Sequence, residues 1–318
     1  MKAAVIHSYG TVPTFDDFAQ PTPGEGEQVV EVSAAAISNL ARSRAAGTHY
    51  SSHGELPAVA GVDGVGTLAD GRRVYFGAAR EPFGTMAQRS LAGAQMFGVP
   101  DALDDVTVAA LMNPGVSAWI ALAHRAELKP GERVLIVGAT GVTGKLAVQA
   151  AKLQGASAVV AAGRNAESLR RLAALGADAT ISLDGDLREK FAEAVGDEGF
   201  DVIIDYLWGA PTEALLEALS RHDLIAASRR TRLVHVGAMA GPTITLPGNL
   251  LRSTDLVVLG SGTGSMRSAD LAGAVQRVLT SAAAGELTID TMAVPLSDVE
   301  AVWNCDGQGT RIVLVPAE

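Results

Sequence analysis

The sequence predicts an α/β protein whose middle part folds as a parallel sheet and whose two ends are rich in β-strands. From residue 133 to about residue 260, short apolar runs alternate with helical patterns. Apolar strands that alternate with helices are typical of a parallel sheet covered by helices on both faces. Residues 1 to about 110 instead carry β-like runs between Gly, Pro and polar clusters, and β character returns after residue 289.

These patterns divide the chain of 318 residues into two domains, in line with a common size of roughly 100–200 residues per domain. We expect residues 1–112 and 284–318 to form one β-rich domain. We expect residues 113–283 to form the second domain, with strands at residues 133–137, 157–162, 201–205, 232–236 and 256–259.

Charge and cysteine content narrow the possible partners. The net charge of −10 and the pI near 5.1 disfavour nucleic acid and anionic membranes as main partners. Cys305 is the only cysteine, which excludes an intrachain disulfide and a cysteine-rich zinc site and fits a reducing cytoplasm. We find no signal peptide, and no segment long enough to span a membrane.

A glycine-containing turn follows the first strand of the predicted sheet. The strand at 133–137 runs into GATGVTG at 138–144, and a helix follows. In this pattern one glycine lets the backbone approach a pyrophosphate, another lets the helix pack close to the strand, and the helix N-terminus attracts the anion. An ordinary strand–turn–helix corner is the weaker alternative in this context. The predicted cofactor contacts are Ala139, Thr140, Gly141, Val142, Thr143 and Gly144.

The end of the second strand indicates which dinucleotide binds. Proteins specific for NAD usually place an acidic residue here, on the ribose 2′-hydroxyl. This chain instead has Gly163, Arg164 and Asn165. The charge and forked geometry of Arg164 suit a 2′-phosphate, so the sequence favours NADPH. A surface arginine without a ligand is the alternative.

Segments over nearly the whole chain resemble one enzyme family. KPGERVLI at 129–136 and AALMNPGVSAW at 109–119 are similar to the quinone oxidoreductase (zeta-crystallin-like) family, the zinc-free branch of the medium-chain dehydrogenases/reductases. The resemblance implies a GroES-like catalytic domain and a Rossmann domain with a doubly wound parallel sheet that binds NADP(H). It also implies that Val236, Gly237, Ala238, Gly260, Ser261 and Ser117 lie near the nicotinamide.

The chain departs from the zinc-dependent branch of that superfamily. It has no cysteine in the segment 37–39, no Gly-His-Glu at 61–63 and no four-cysteine lobe. His49 and His53 lie four residues apart but in a predicted loop, and a zinc site needs three or four ligands. We therefore predict no metal site. His235 alternates with apolar residues, and we expect it to be a core residue with its hydrogen bonds satisfied.

Tyr50 and Asn39 are the candidate catalytic residues. The resemblance places a tyrosine and an asparagine near these positions, each offset by one residue in this chain. A phenol or an amide can hydrogen-bond a carbonyl oxygen, and a phenol can donate a proton. Tyr50 alternatively only shapes the pocket.

We predict an enzyme that transfers hydride from NADPH to a small-molecule quinone or to an activated, α,β-unsaturated carbonyl double bond, without a metal. Met112-Asn113-Pro114 keeps an enoyl- or acryloyl-thioester reductase open, and a non-enzymatic NADPH-binding protein is a second alternative. The apolar run at 256–259 is the last strand of the predicted sheet and has no charge or proline, so we expect it to pair in a homodimer.

Overall fold

The structure is a computed structural model that describes residues 1–52, 54–220, 229–307 and 309–316. It divides into two compact units, Met1–Asn113 with Val275–Glu318, and Pro114–Ala274. The second division falls inside a helix, whereas the sequence-based limit of 283/284 falls at the end of that helix. The limits 112/113 and 283/284 stay a prediction about the domains.

The elements alternate as expected in the middle of the chain and are mostly strands in its first part. The strands are β1 Lys2–Ile6, β2 Thr14–Asp17, β3 Gln28–Ala36, β4 Ala58–Val59, β5 Asp63–Leu68, β6 Arg73–Ala78, β7 Arg89–Gly98, β8 Arg133–Val137, β9 Ala158–Gly163, β10 Ala179–Ser182, β11 Val202–Asp205, β12 Thr231–His235, β13 Leu256–Gly260, β14 Thr291–Pro295 and β15 Arg311–Val315. The α-helices are α1 Asn39–Ala45, α2 Asp105–Ile120, α3 Val142–Leu153, α4 Ala166–Leu172, α5 Leu187–Val195, α6 Gly209–Leu219, α7 Leu250–Ser253, α8 Ser268–Ala283 and α9 Val299–Val302.

The unit 114–274 contains a parallel sheet in the order β10-β9-β8-β11-β12-β13. The strand order reverses at β8, because β9 and β10 lie on one side of β8 and the next strands, β11 to β13, lie on the other. The carboxyl ends of parallel strands meet at one edge, and ligands bind where the strand order reverses. The turn after β8 and the loops after β9, β11, β12 and β13 therefore lie along the same edge.

Apolar sequence explains which of these strands could be predicted. Each of the five predicted strands agrees with the structure to within one residue at either end, and each contains an apolar run, whether it is buried, as β8 and β11 are, or partly exposed, as β13 is. β10 was not predicted. Of its four residues only Ile181 is buried, so no apolar run marks it.

The unit 1–113 with 275–318 is built mainly from antiparallel strands. β3, β5, β6 and β7 form a barrel-like ring, because β7 pairs with β3 as well as with β6. β15 pairs with the end of β3 and carries β14, and β1 pairs with β2 and β4 in a separate small sheet. Strands of the ring contribute side chains that are at most 3% exposed to one hydrophobic core, including Val30, Leu68, Val74 and Phe76.

One helical segment corrects the sequence analysis, which found no segment as long as a membrane span. α2 runs through Pro114 and continues through a π-helical turn, Ala121–Arg125. Together they give 21 helical residues that are long and apolar enough to cross a membrane by length and composition. The most apolar window of this segment is 67% buried inside the protein, as a core helix would be.

Candidate cofactor and active site

The turn after β8 is tied to the neighbouring strand. The N–H groups of Gly138 and Ala139 both donate to the carbonyl of Ala162, at 2.9 and 2.8 Å. Gly138 has φ of +90°, a left-handed conformation that favours glycine, and this sharp bend turns the chain away from the sheet. Because glycine adopts this conformation with little strain, the chain can turn from β8 into α3 within a few residues.

The two other glycines of the turn differ in what surrounds them. A Cβ on Gly144 would overlap the carbonyl oxygen of Gly138 and lie 2.6 Å from Cα of Ala139, so α3 packs directly on the turn. A Cβ on Gly141 would meet only the carbonyl oxygen of Gly138, at 3.6 Å, an ordinary contact. Gly141 therefore leaves open space on the side away from the protein, where a ligand can approach.

No side chain caps the N-terminus of α3. Its N-cap is Gly141, which has no side chain to accept hydrogen bonds from the helix. Free N–H groups and the positive end of the helix dipole favour an anion at such a terminus. The open space at Gly141 and this uncapped terminus together fit a pyrophosphate.

The end of β9 lies against the same turn. A Cβ on Gly163 would come within 2.8 Å of Oγ1 of Thr140, so these two residues are in close contact. The next side chain, Arg164, is exposed and has no hydrogen-bond or ion-pair partner among the described residues. Asn165 caps α4 instead, since its side chain accepts from the N–H of Ser168 at 2.9 Å. Within the described chain, Arg164 is thus a free cation beside the turn, whereas the Asn165 side chain is already engaged.

Five of the six predicted nicotinamide residues lie at the ends of β12 and β13. His235 pairs with Gly260 in the sheet, and the N–H of Ser261 donates to the carbonyl of His235 at 2.8 Å. The N–H groups of Val236 and Gly237 both donate to the backbone carbonyl of Asp205, at 2.8 and 3.3 Å. These bonds fix the loop that continues to Ala238. Ser117 lies half-buried in α2, within the same unit.

Arg125 adds a contact that the sequence did not indicate. Its Nε donates to the carbonyl of Gly260 at 2.7 Å, and its Nη1 donates to the carbonyl of Ser265 at 3.3 Å. The guanidinium therefore braces the loop after β13 at the position predicted to lie by the nicotinamide.

Asp205, the last residue of β11, orders the loop that follows this strand. Its carboxylate is buried and accepts hydrogen bonds from the N–H groups of Leu207 and Trp208 and from the hydroxyl of Thr212. Trp208 has φ of +56°, which is uncommon outside glycine, and these bonds help to hold it there.

The expectation for His235 was wrong. Its ring stacks on Trp208 with centroids 4.3 Å apart, and its buried Nδ1 has no hydrogen-bond partner among the described residues. Burial lowers the pKa of His235, which favours the neutral ring. The alternating pattern identified a strand position correctly, but it could not show that this side chain sits at the carboxyl edge of the sheet.

The two candidate catalytic residues lie on either side of α1: Asn39 at its first residue and Tyr50 in the loop that follows its last one. Asn39 is the first residue of α1 and is exposed. Tyr50 follows the other end of the helix and is 66% exposed, with its ring 4.1 Å from that of His49. His49 is held in turn by a 2.7 Å hydrogen bond between its Nδ1 and the hydroxyl of Ser51. The side chain of Tyr50 is therefore accessible to solvent, and its ring packs against His49, the preceding residue of the same loop.

A cavity of about 210 Å³ lies in the unit that carries Tyr50. Ser52 lines it, and so does the Arg44–Glu81 ion pair, whose N···O distance is 2.7 Å. Apolar side chains make up much of the remaining wall, among them Ile6, Val59, Val62 and Phe83. The cavity therefore offers a small apolar space with a charged pair in its wall, and sequence reasoning could not place it.

A buried ionisable group lies in the same unit and was also missed. Tyr75 donates its hydroxyl hydrogen to Oδ2 of Asp63 at 2.9 Å. Burial raises the pKa of Asp63 to about 6, although the Tyr75 hydrogen bond and the positive charge of Arg311 act in the opposite direction. Burial also lowers the pKa of Arg311 to about 10. No sequence pattern marks this group, because its members lie on β5, β6 and β15.

Comparison with known proteins gives the family. A family model described as zinc-binding dehydrogenase matches residues 142–280. The probable NADPH-dependent quinone reductase tdiC of Emericella nidulans is 26% identical over an alignment that covers 99% of this chain and all of that protein. The quinone oxidoreductase of Lama guanicoe is 31% identical, covering 75% of this chain and 73% of that protein. The 2-haloacrylate reductase of a Burkholderia species is also 31% identical, covering 71% and 72%.

This chain belongs to the quinone oxidoreductase family. The solved quinone oxidoreductase of Thermus thermophilus, whose complex with NADPH is also known, has a TM-score of 0.82 and 27% identity, and the match covers 99% of this chain and 100% of that one. The predicted family is confirmed, and so is the predicted fold class, a GroES-like β-rich domain with a Rossmann domain.

In this quinone oxidoreductase family member, the described part of the chain contains no group of three or more His, Cys, Asp or Glu side chains that could hold a metal ion. His53, the partner considered for His49, lies outside the described residues. The cofactor residues predicted from the sequence, except Ser117 in α2, thus lie along one sheet edge, and the candidate catalytic residues lie in the other unit.

Proposed function

We propose that this chain binds NADPH at the turn 138–144 and transfers its hydride to a small quinone or to an activated C=C bond. The observation that carries the proposal is the exposed Arg164, without a partner in the described chain, beside a turn whose helix terminus is uncapped. The NADPH-dependent quinone reductase and the 2-haloacrylate reductase among the relatives support the cofactor and the two acceptor classes. The NADPH complex of the Thermus enzyme supports the cofactor as well.

The chain would bind the cofactor with contacts of different kinds. The N–H groups at the start of α3 would receive the pyrophosphate beside Gly141, and Arg164 would pair with the 2′-phosphate. Val236, Gly237, Ala238, Gly260, Ser261 and Ser117 would orient the nicotinamide. When bound, NADPH supplies the hydride, and the protein's task is to position it and to polarise the acceptor.

The acceptor would be polarised by hydrogen-bond donors. Hydride addition to a quinone or enone builds negative charge on the carbonyl oxygen, which a fixed donor stabilises. The phenol of Tyr50 and the amide of Asn39 are the donors we propose. The cavity beside Ser52 offers room for an apolar part of the acceptor.

An acceptor panel tests the proposal. Loss of NADPH absorbance would be followed with a simple quinone, a 2-haloacrylate, an unsaturated ketone and a crotonyl thioester. We expect turnover with the quinone or with the unsaturated carbonyl compounds. Turnover of the thioester alone would favour the thioester-reductase alternative, and tight NADPH binding without any turnover would favour the non-enzymatic one.

We also propose a homodimer joined through β13. This strand is at the edge of its sheet, and Val258 is 39% exposed there. An exposed apolar edge strand pairs readily with another strand, and pairing with its own copy would make a two-fold contact.

A further inference from the structure

Arg311 is a buried arginine that holds the bend between β3 and α1. It is 8% exposed, and its Nη1 donates to the carbonyl of Ile37 at 2.9 Å. The N–H of Ile37 donates in turn to the carbonyl of Ile312 at 3.0 Å. Both polar groups of Ile37 are therefore held by two consecutive residues at the start of β15.

The residue after Ile37 begins α1. Ser38 is buried, and its hydroxyl oxygen accepts from the N–H of Ala41 at 3.0 Å. Its carbonyl accepts from the N–H of Arg42, also at 3.0 Å. We call residues 37–39 the elbow. Because the elbow is bonded on both sides, it fixes the direction in which Asn39 leaves the sheet.

Two charged side chains act on the buried guanidinium. Burial lowers the pKa of Arg311 most, the charge of Asp63 acts against this shift, and the positive charge of Arg42 adds to it. Nε of Arg311 is buried and has no hydrogen-bond partner among the described residues. A buried guanidinium with an unbonded donor contributes little to stability, and apolar residues of similar size often pack as well or better. A packing role alone therefore does not account for a guanidinium at this place.

We propose that Arg311 is a positioning residue, which sets the elbow and so aims Asn39 at the acceptor. The inference rests on the proposed function, in which Asn39 contacts the acceptor. Arg311 is the first residue of β15, far in sequence from α1. It would act through the elbow and would not contact the acceptor itself.

The test compares three variants with the wild type. Arg311→Met removes the donor to Ile37, and Arg311→Lys keeps a charge that can donate one such bond. Arg73→Met is the matched control, because Arg73 also donates to a backbone carbonyl, that of Leu103, and pairs with a carboxylate, that of Asp105, away from the elbow. The acceptor is 1,4-naphthoquinone, and hydrogen exchange of the Ala41 and Arg42 amides reports on the elbow directly.

We expect Arg311→Met to lower kcat by about 10–100-fold, the scale of a reacting group misplaced by about 1 Å. NADPH affinity should stay within about twofold, because the turn 138–144 is unchanged. The Ala41 and Arg42 amides should exchange faster, Arg311→Lys should recover part of both effects, and Arg73→Met should show neither.

Two results would overturn the inference. One is a wild-type rate of hydrogen exchange at the Ala41 and Arg42 amides in Arg311→Met. If the methionine variant does not fold, the same result in Arg311→Lys would overturn it. The other is faster exchange with wild-type kcat. A wild-type protein without turnover on any acceptor would instead refute the proposed function and, with it, the aiming of Asn39, while the exchange data would still decide whether Arg311 holds the elbow.

Discussion

Two alanine substitutions in one turn separate cofactor binding from protein stability. Gly141→Ala adds a methyl group that faces open space and would meet only the Gly138 carbonyl oxygen at 3.6 Å. Gly144→Ala adds the same group where it would overlap that oxygen and lie 2.6 Å from Cα of Ala139. The first methyl would therefore conflict with a pyrophosphate bound as proposed, and the second conflicts with the protein's own backbone.

The expected magnitudes follow from these distances. Gly141 lies in an extended conformation that alanine adopts without strain, so the free energy of unfolding should change by about 0.5 kcal/mol or less, or rise slightly. NADPH affinity should fall by roughly tenfold or more, since about 1.4 kcal/mol of lost contact is tenfold in Kd. Gly144→Ala should lower the free energy of unfolding by about 1–3 kcal/mol, the usual cost of overpacking.

Denaturant unfolding without cofactor and a fluorescence titration with NADPH measure the two quantities. Gly141→Ala should lose affinity at wild-type stability, whereas Gly144→Ala should lose stability. Wild-type NADPH affinity in Gly141→Ala would show that no pyrophosphate approaches this turn and would refute the reasoning.

Four further substitutions test the site, the ionisable group and the assembly. Arg164→Ala should weaken NADPH by about 1.5–3 kcal/mol and leave NADH nearly unchanged, and equal losses would mean that Arg164 does not contact the 2′-phosphate. Tyr50→Phe should lower kcat at unchanged NADPH affinity, and a wild-type kcat on every accepted substrate would leave Tyr50 only a role in pocket shape. Burial raises the pKa of Asp63 from its ordinary 3.8 to about 6. The protonated carboxyl therefore stabilises the folded state fully below pH 3.8, and this contribution is lost as the pH rises through the folded-state pKa of about 6. The unfolding free energy of the wild type relative to Asp63→Asn should thus fall by about 3 kcal/mol between about pH 3 and 8, and a constant difference would contradict this. Light scattering should give twice the 32.6 kDa chain mass and Val258→Pro should shift it toward the monomer, while a monomeric wild type at micromolar concentration would exclude the β13 dimer.

The parallel sheet could be predicted closely because its signal is local. β8 and β11 are apolar over nearly their whole length, and the glycines of 138–144 directly follow one of them. β10 could not be predicted, because its sequence ATIS contains no apolar run, whereas the partly exposed β13 could be predicted from its run LVVL. Local pattern predicts the buried strands of such a sheet and misses an edge strand with little apolar surface.

The candidate site follows the same division. Gly141, Gly144 and Arg164 lie within one strand–helix–strand unit, so their spacing alone predicted that they meet. The bond from Arg311 to Ile37 joins residues 274 positions apart, and only the pairing of β15 with β3 brings them together. The environment of His235, whose Nδ1 lacks a partner in the described chain, depends in the same way on its place at the sheet edge and on the stacked Trp208.

A calorimetric titration of the wild-type chain with NADPH, run beside the same titration with NADH, measures whether the chain binds NADPH and prefers it to NADH. The open turn at Gly141 and the exposed Arg164 predict one NADPH per chain, bound at least about tenfold more tightly than NADH, since a charge-assisted hydrogen bond is worth about 1.5–3 kcal/mol. Equal affinity for the two cofactors, or no binding of NADPH, would contradict the account.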